Sequence, residues 1–173
     1  LSRGSMLVSV LALFAVTAFL SMWISNTATA AMMLPLAMGM MSHLDQEKER
    51  KTYVFVLLGI AYCASIGGLG TVVGSPPNMI AAKALNLDFV GWMKLGLPMM
   101  LLILPLMLFS MYVILKPNLN ERVEVKAESI PWTLHRVIAL LIFLAAAIAW
   151  VFSSKIKAAF GISNPDTVIA LIA

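Results

Sequence analysis

Charged residues are absent from residues 4–44, 52–82, 95–115 and 137–154 and cluster in the intervals between them. Each charge-free stretch is about as long as, or longer than, the roughly 20 residues of a membrane-spanning helix. Within the first, residues 6–24 are uniformly apolar, Ser25-Asn26-Thr27-Ala28-Thr29 is a polar cluster, and residues 30–41 are apolar again. At about 1.5 Å per residue the second run reaches only about 18 Å, short of a hydrocarbon core of about 30 Å. The pattern predicts a re-entrant helical hairpin over 4–44 with its tip at 25–27. Irregular backbone at that depth is tolerated only where protein or a cavity covers it. Beyond a polar loop, an apolar helix from Tyr53 to Ile66 breaks in the glycine-rich stretch 67–75, and a second helix starts near Pro76 and runs to about Leu85. This predicts one discontinuous transmembrane helix over 52–86, neither half of which spans alone. Residues 89–115 predict a long span in which Pro98 and Pro105 each remove an internal hydrogen bond. Residues 116–131 are polar and amphipathic, as in an interfacial segment on the cytoplasmic side. Residues 132–154 predict a further span and 166–173 the start of another. The expected fold class is an all-α integral membrane protein, a polytopic helical bundle.

Composition fits this solvent. The 173 residues are 61% hydrophobic and 12% charged, with a mean hydropathy of +0.96. Soluble domains carry about 25% charge, and half of that cannot cover a water-facing surface. The net charge of +4 forms no basic stripe with interleaved aromatics, so no nucleic-acid partner is expected. The basic residues instead orient the chain in the lipid bilayer. If the hairpin enters from the cytoplasm, eight fall on that side (Arg3, Lys48, Arg50, Lys51, Lys116, Arg122, Lys126, Arg136) and four on the other (Lys83, Lys94, Lys155, Lys157). The expected location is the plasma membrane, in a bacterium the inner membrane. Trp92, Trp132 and Trp150 fall near predicted span ends and read as interfacial anchors. Cys63 is the only cysteine; it excludes an intrachain disulfide or thiolate cluster and reads as packing. The chain starts without Met and its last apolar run stops after about two turns, so a longer parent polypeptide is expected. Arg3, the first apolar run and Ala28-Thr29-Ala30 mimic a signal peptide, but the apolar character of everything downstream outweighs that.

The two polar interruptions hold the candidate chemistry. Asn26 or Thr27 is suited to cap the helix that follows the first, and Ser75 the helix that follows the second, with Pro76 at the first helical position. A helix N-terminus presents unsatisfied N–H groups and about half a positive charge, which suits a carboxylate, sulfate or phosphate. Neither interruption contains a basic residue. The helix ends before each break, near 21–25 and 66–70, leave carbonyl oxygens free. With Ser and Asn side-chain oxygens they are hard donors of the kind that hold sodium in unwound transporter helices. No Asp or Glu lies inside the apolar stretches, so a sodium couple is favoured over a proton relay. Close helix packing is the plainer reading of Thr17, Ser21 or Thr29 taken singly. Gly68-Leu69-Gly70 has no following Gly-Lys-Ser/Thr and no βαβ context, so nucleotide binding is not supported.

Ser21-Met22-Trp23-Ile24-Ser25-Asn26-Thr27-Ala28-Thr29, followed by Ala31-Met32-Met33-Leu34-Pro35, resembles the first Ser-Asn-Thr signature of the divalent anion/sodium symporter family. Gly59-Ile60-Ala61-Tyr62, Ser65-Ile66-Gly67-Gly68, Gly70-Thr71 and Gly74-Ser75-Pro76-Pro77-Asn78 are similar to that family's unwound helix. The likeness continues through Asp88-Phe89-Val90-Gly91-Trp92 to the segment around Trp132, covering nearly the whole chain. The resemblance implies two inverted repeats, each with one re-entrant hairpin and one broken helix, in a homodimer that works by an elevator-like movement. It implies symport of sodium with a di- or tricarboxylate, this chain supplying half of the site. Ser21, Ser25, Asn26 and Gly74 would ligate sodium; Asn26 and Thr27 would touch a substrate carboxylate, with Ser75 and Pro76 lining the pocket. The second Ser-Asn-Thr motif and the second sodium site are not in this sequence.

Other classes fit less well. Uptake of sulfate or exchange of carboxylates would use the same scaffold. An ion channel would want several identical loops around a pore. An enzyme would need a nucleophile–base pair or a metal motif, and His43 and His135, at span ends, form part of no such motif in the sequence. No enzymatic activity is expected.

Overall fold

In a computed structural model the chain is described at residues 4–120, 122–123, 133–153 and 168. The described residues form α1 (Met6–Ser21), α2 (Asn26–Met40), α3 (Arg50–Gly67), a 3-10 turn (Gly68–Gly70), α4 (Pro76–Ala84), α5 (Phe89–Leu115) and α6 (Leu134–Val151). The only departure from all-helical structure among them is a pair of two-residue strands, β1 (Gly4–Ser5) and β2 (Arg122–Val123), in antiparallel register. Apart from residue 168, the expected start of a further helix at 166–173 lies outside the described residues, as does most of the interfacial segment at 116–131.

Helix α1 buries Met6, Val10, Leu13, Phe14, Thr17, Ala18 and Ser21, a stripe at helical spacing that faces α3. The contact is close because small residues allow it. A side chain at Gly59 would land on the Phe14 ring, and one at Gly67 on the Ala18 backbone. Thr17 returns its hydroxyl to Leu13 O at 2.6 Å, so it fills space without a free polar group. Helix α2 buries Thr29, Met33 and Ala37. Its first residue reaches Ser21, and its far end receives a hydrogen bond from Tyr53 Oη, 2.8 Å from Met41 O. Helices α1 and α2 are thus an antiparallel pair, with α1 parallel to α3 and α2 antiparallel to it. Pro35 lies within α2, and Pro98 and Pro105 within α5, and both helices run through them.

Helix ends follow local chemistry. Asp88 caps α5, its carboxylate accepting from Gly91 N at 2.7 Å. Helix α4 stops at Asn86, which takes a left-handed φ of 54° and lets Leu87 N bond Ala82 O at 2.8 Å, the usual hydrogen-bonded helix stop. Lys116, also left-handed at φ 47°, ends α5 ahead of Pro117. Beyond it, Asn118 N donates to Thr52 Oγ1 at 3.0 Å and Asn118 Nδ2 to Glu49 Oε1 at 3.2 Å, fastening the end of α5 to the start of α3.

One core cluster joins α1, α2, α3 and the far end of α5, including Val10, Phe14, Met33, Val56, Ile60 and Met111. Much apolar surface stays outside it. On α5, Leu101 is 66% exposed, Phe109 67% and Ile114 77%; such surface is untenable in water and ordinary against lipid or further protein. Two helical segments, Arg50–Gly70 and Phe89–Leu115, are long and apolar enough to cross a membrane. The first is longer than the sequence suggested: α3 starts at Arg50, three residues before Tyr53, and its 18 residues extend about 27 Å.

Candidate functional site

Four helix ends meet at one place: the last residues of α1 (Ser21) and α3 (Gly67) and the first of α2 (Asn26) and α4 (Pro76). The first interruption is a tight turn. Trp23 N and Ile24 N both bond Leu20 O at 3.0 Å, and α2 begins two residues later. Ser25, not Asn26 or Thr27, caps α2, its Oγ accepting from Ala28 N at 3.3 Å. Capping by Ser25 places Asn26 inside the first turn of α2, where its side chain reaches back across the break.

Ser21 is fully buried. Its Oγ lies 2.6 Å from Ala64 O and 2.7 Å from Asn26 Oδ1. One hydroxyl proton serves only one of these two acceptors. When it goes to Ala64 O, the lone pairs of Ser21 and Asn26 oxygens face each other. A cation against both relieves that repulsion, as does rotation of the Asn26 amide.

The second interruption closes on the first. Gly68 is buried, and a methyl group on its Cα would sit 2.5 Å from Asn26 Oδ1 and 3.1 Å from Gly74 O. The space a side chain would fill is therefore lined by oxygens from both breaks. At Gly74 a methyl would meet Gly68 O at 2.5 Å and Met22 O at 3.0 Å, so this glycine is required by close backbone approach. Thr71 Oγ1 donates to Met22 O and accepts from Gly74 N at 3.1 Å. Asn78 Nδ2 donates to Gly68 O at 2.7 Å and Thr71 O at 2.8 Å. Trp92 Nε1 donates to Leu69 O at 3.1 Å. Trp92 thus braces the break from α5, beyond the interfacial anchoring expected of it. Trp150 is likewise engaged, stacking on Phe89 at 5.9 Å and on Trp23 at 6.4 Å; Trp132 lies outside the described residues.

Of the residues singled out from sequence, Ser21, Asn26 and Gly74 come together around Gly68. Ser25 is exposed and occupied as a cap. Thr27 is exposed on the first turn of α2, beside N–H groups of Asn26 and Thr27 that a helix leaves without an internal partner. Ser75 stands at the cap position of α4 but makes no side-chain cap bond. The reason is local. Pro76 and Pro77 have no N–H to give, and Asn78 N goes to Ser75 O at 3.0 Å. The α4 terminus consequently offers an anion its dipole but few donors, and the α2 terminus is the richer of the two. Gly68, Thr71 and Asn78 were not picked out as site residues. The run Gly67-Gly68-Leu69-Gly70-Thr71 marks a break in sequence, but which of its atoms face the hairpin follows only from the packing.

The chain matches the citrate transporter family, CitMHS, over residues 1–173. It belongs to that family. This citrate transporter family chain is 52% identical to an uncharacterized transporter of Haemophilus influenzae, covering all of itself and 39% of that protein. It is 27% identical to the low-affinity phosphate transporter of Saccharomyces cerevisiae (89% of the chain, 18% of the relative). It is also 27% identical to a sodium-dependent dicarboxylate transporter of Staphylococcus saprophyticus (78% and 30%). The chain spans about two fifths of the length of its Haemophilus relative. The family and these relatives are named as transporters, not enzymes.

Proposed function

We propose that this family member carries a di- or tricarboxylate together with sodium, and that the space above Gly68 is part of the sodium path. The observation that carries the reading is the approach of Asn26 Oδ1 and Gly74 O to the same point above Gly68, with Ser21 Oγ against Asn26. These are neutral, hard oxygens, Ser21 on the last residue of α1, Asn26 on the first of α2 and Gly74 in the break ahead of α4; the nearby carbonyl ends of α1 and α3 add the dipole that favours a cation. The N-termini of α2 and α4 point at the same region and favour an anion. Cation and anion thus sit beside each other, each at the helix ends of opposite sign. Ser21, Asn26 and Gly74 hold sodium, with Ser25 keeping the turn in shape. Asn26 and Thr27 take one carboxylate, and Ser75 and Pro76 line its pocket.

In this reading α1 and α2 are a re-entrant hairpin, and α3 and α4 are the halves of a discontinuous helix. Both belong to one of two inverted repeats in a homodimer that moves its cargo by an elevator-type mechanism across the plasma membrane. The dicarboxylate relative's name supports sodium and a carboxylate, and the phosphate relative's name keeps inorganic anions in play. Uptake of labelled succinate, citrate, sulfate and phosphate by the full-length protein, in sodium and in potassium media, tests it. Sodium-dependent uptake of a carboxylate is expected, and Asn26→Ala abolishes it while leaving membrane expression intact. Phosphate or sulfate uptake in preference to carboxylates overturns the substrate assignment. Normal uptake by Asn26→Ala at ordinary sodium defeats the site.

A further inference from the structure

The stretch from Gly68 to Gly74 contains three glycines in seven residues and no regular helix beyond one 3-10 turn. Glycine gives such a segment the most conformational entropy to lose. Something must select one arrangement. Two buried side chains that touch none of the oxygens above Gly68 directly are placed to do so. Thr71 is 0% exposed and Asn78 4% exposed. The Thr71 hydroxyl joins the two interruptions, donating to Met22 O in the hairpin turn and accepting from Gly74 N in its own. The Asn78 amide, projecting from the first turn of α4, draws Gly68 O and Thr71 O onto one nitrogen. It thereby ties the end of α3 to the start of α4.

We propose that Thr71 and Asn78 are positioning residues that hold Gly74 O near Asn26 Oδ1 beside Gly68, and so set the affinity for the co-transported cation. This rests on the sodium reading above. Loss of the Thr71 hydroxyl frees Gly74 N and Met22 O together, and the two breaks are then no longer held in register. Loss of the Asn78 amide leaves two carbonyls without donors in a place that water reaches poorly, a costly state. Both effects fall first on the cation, because Gly74 O moves while the anion-facing N–H groups of α2 stay on their own helix.

The test uses the full-length protein and its sodium-dependent uptake, with thermal unfolding of the purified protein measured beside it. Thr71→Val and Asn78→Ala are expected to raise the sodium concentration for half-maximal uptake by about tenfold or more. Half-saturation by the anion at saturating sodium should change less than about threefold, given that a hydrogen bond's net worth is modest where it is not lost. Thr71→Ser, which keeps the hydroxyl, should restore sodium half-saturation to within about twofold of the native value by the same reasoning. The proposal is overturned if either donor-free variant keeps native sodium half-saturation, or if Thr71→Ser is as impaired as Thr71→Val. Failure of both Thr71→Val and Asn78→Ala to accumulate as folded protein marks a purely structural role and overturns it as well. A native protein indifferent to sodium instead refutes the function reading, a result distinct from sodium-dependent uptake that ignores Thr71.

Discussion

Gly68 shows how much one missing side chain decides. Its α-carbon faces Asn26 Oδ1 and Gly74 O so closely that a methyl group there would stand 2.5 Å from the first and 3.1 Å from the second. Overpacking of this kind costs about 1–3 kcal/mol, and here the neighbours that must give way are the proposed ligands. Gly68→Ala is therefore expected to cut sodium-dependent uptake by about tenfold or more, with the protein still reaching the membrane. Uptake assays paired with immunoblots of the membrane fraction check this, and native uptake by the variant would mean that no ion passes there. Thr29 makes the contrast. It is 0% exposed and its hydroxyl has no partner among the described residues. Around Gly68, by comparison, oxygens from two separated segments converge.

At the scale of elements, the interruptions are defined by how each helix starts and stops. Ser25 caps α2 and Asp88 caps α5 with side-chain oxygens, whereas α4 starts on two prolines. Asp88→Ala should lower stability by about 1 kcal/mol, the usual worth of an N-cap, with little effect on uptake; a thermal melt in detergent measures it. Pro77→Ala tests the α4 terminus. It restores one N–H at the second helical position, and if an anion rests at this end its half-saturating concentration should fall by a few fold, one added hydrogen bond being worth about 1 kcal/mol. An unchanged value would separate α4 from the anion.

For the molecule as a whole, the arrangement of α1 and α2 on α3 leaves the outer faces of α1, α5 and α6 broadly apolar, with Phe19 56% and Leu141 59% exposed. Lipid or further protein are the surroundings that suit such faces. The polar turn before α3 and the stop after α4 lie at opposite ends of that broken element. In the proposed orientation, Gln46→Cys in a Cys63→Ala background reacts with a membrane-impermeant thiol reagent only from the cytoplasmic side. Lys83→Cys, on an exposed residue, reacts only from the other side. Labelling of both from one side would require a different topology.

The helices and their breaks were legible along the chain. The charge-free run 95–115 set most of α5, Ser75-Pro76 started α4, and the polar cluster at 25–29 marked a break, because helix length, proline and capping chemistry act within a few residues of one another. The sequence also carried the family resemblance, since Ser-Asn-Thr and Gly-Ser-Pro-Pro-Asn are contiguous. Tertiary structure decided which atoms meet. That Ser25 rather than Asn26 caps α2 depends on where the chain turns after Leu20. That Gly68 faces Asn26, that Thr71 bridges to Met22, and that Trp92 braces Leu69 depend on contacts between residues 20 to 50 positions apart. Local propensity carries no information about such pairs; they are selected by packing of small residues, Gly67 on Ala18 and Gly59 under Phe14, which brings α1 and α3 close enough for the two breaks to touch.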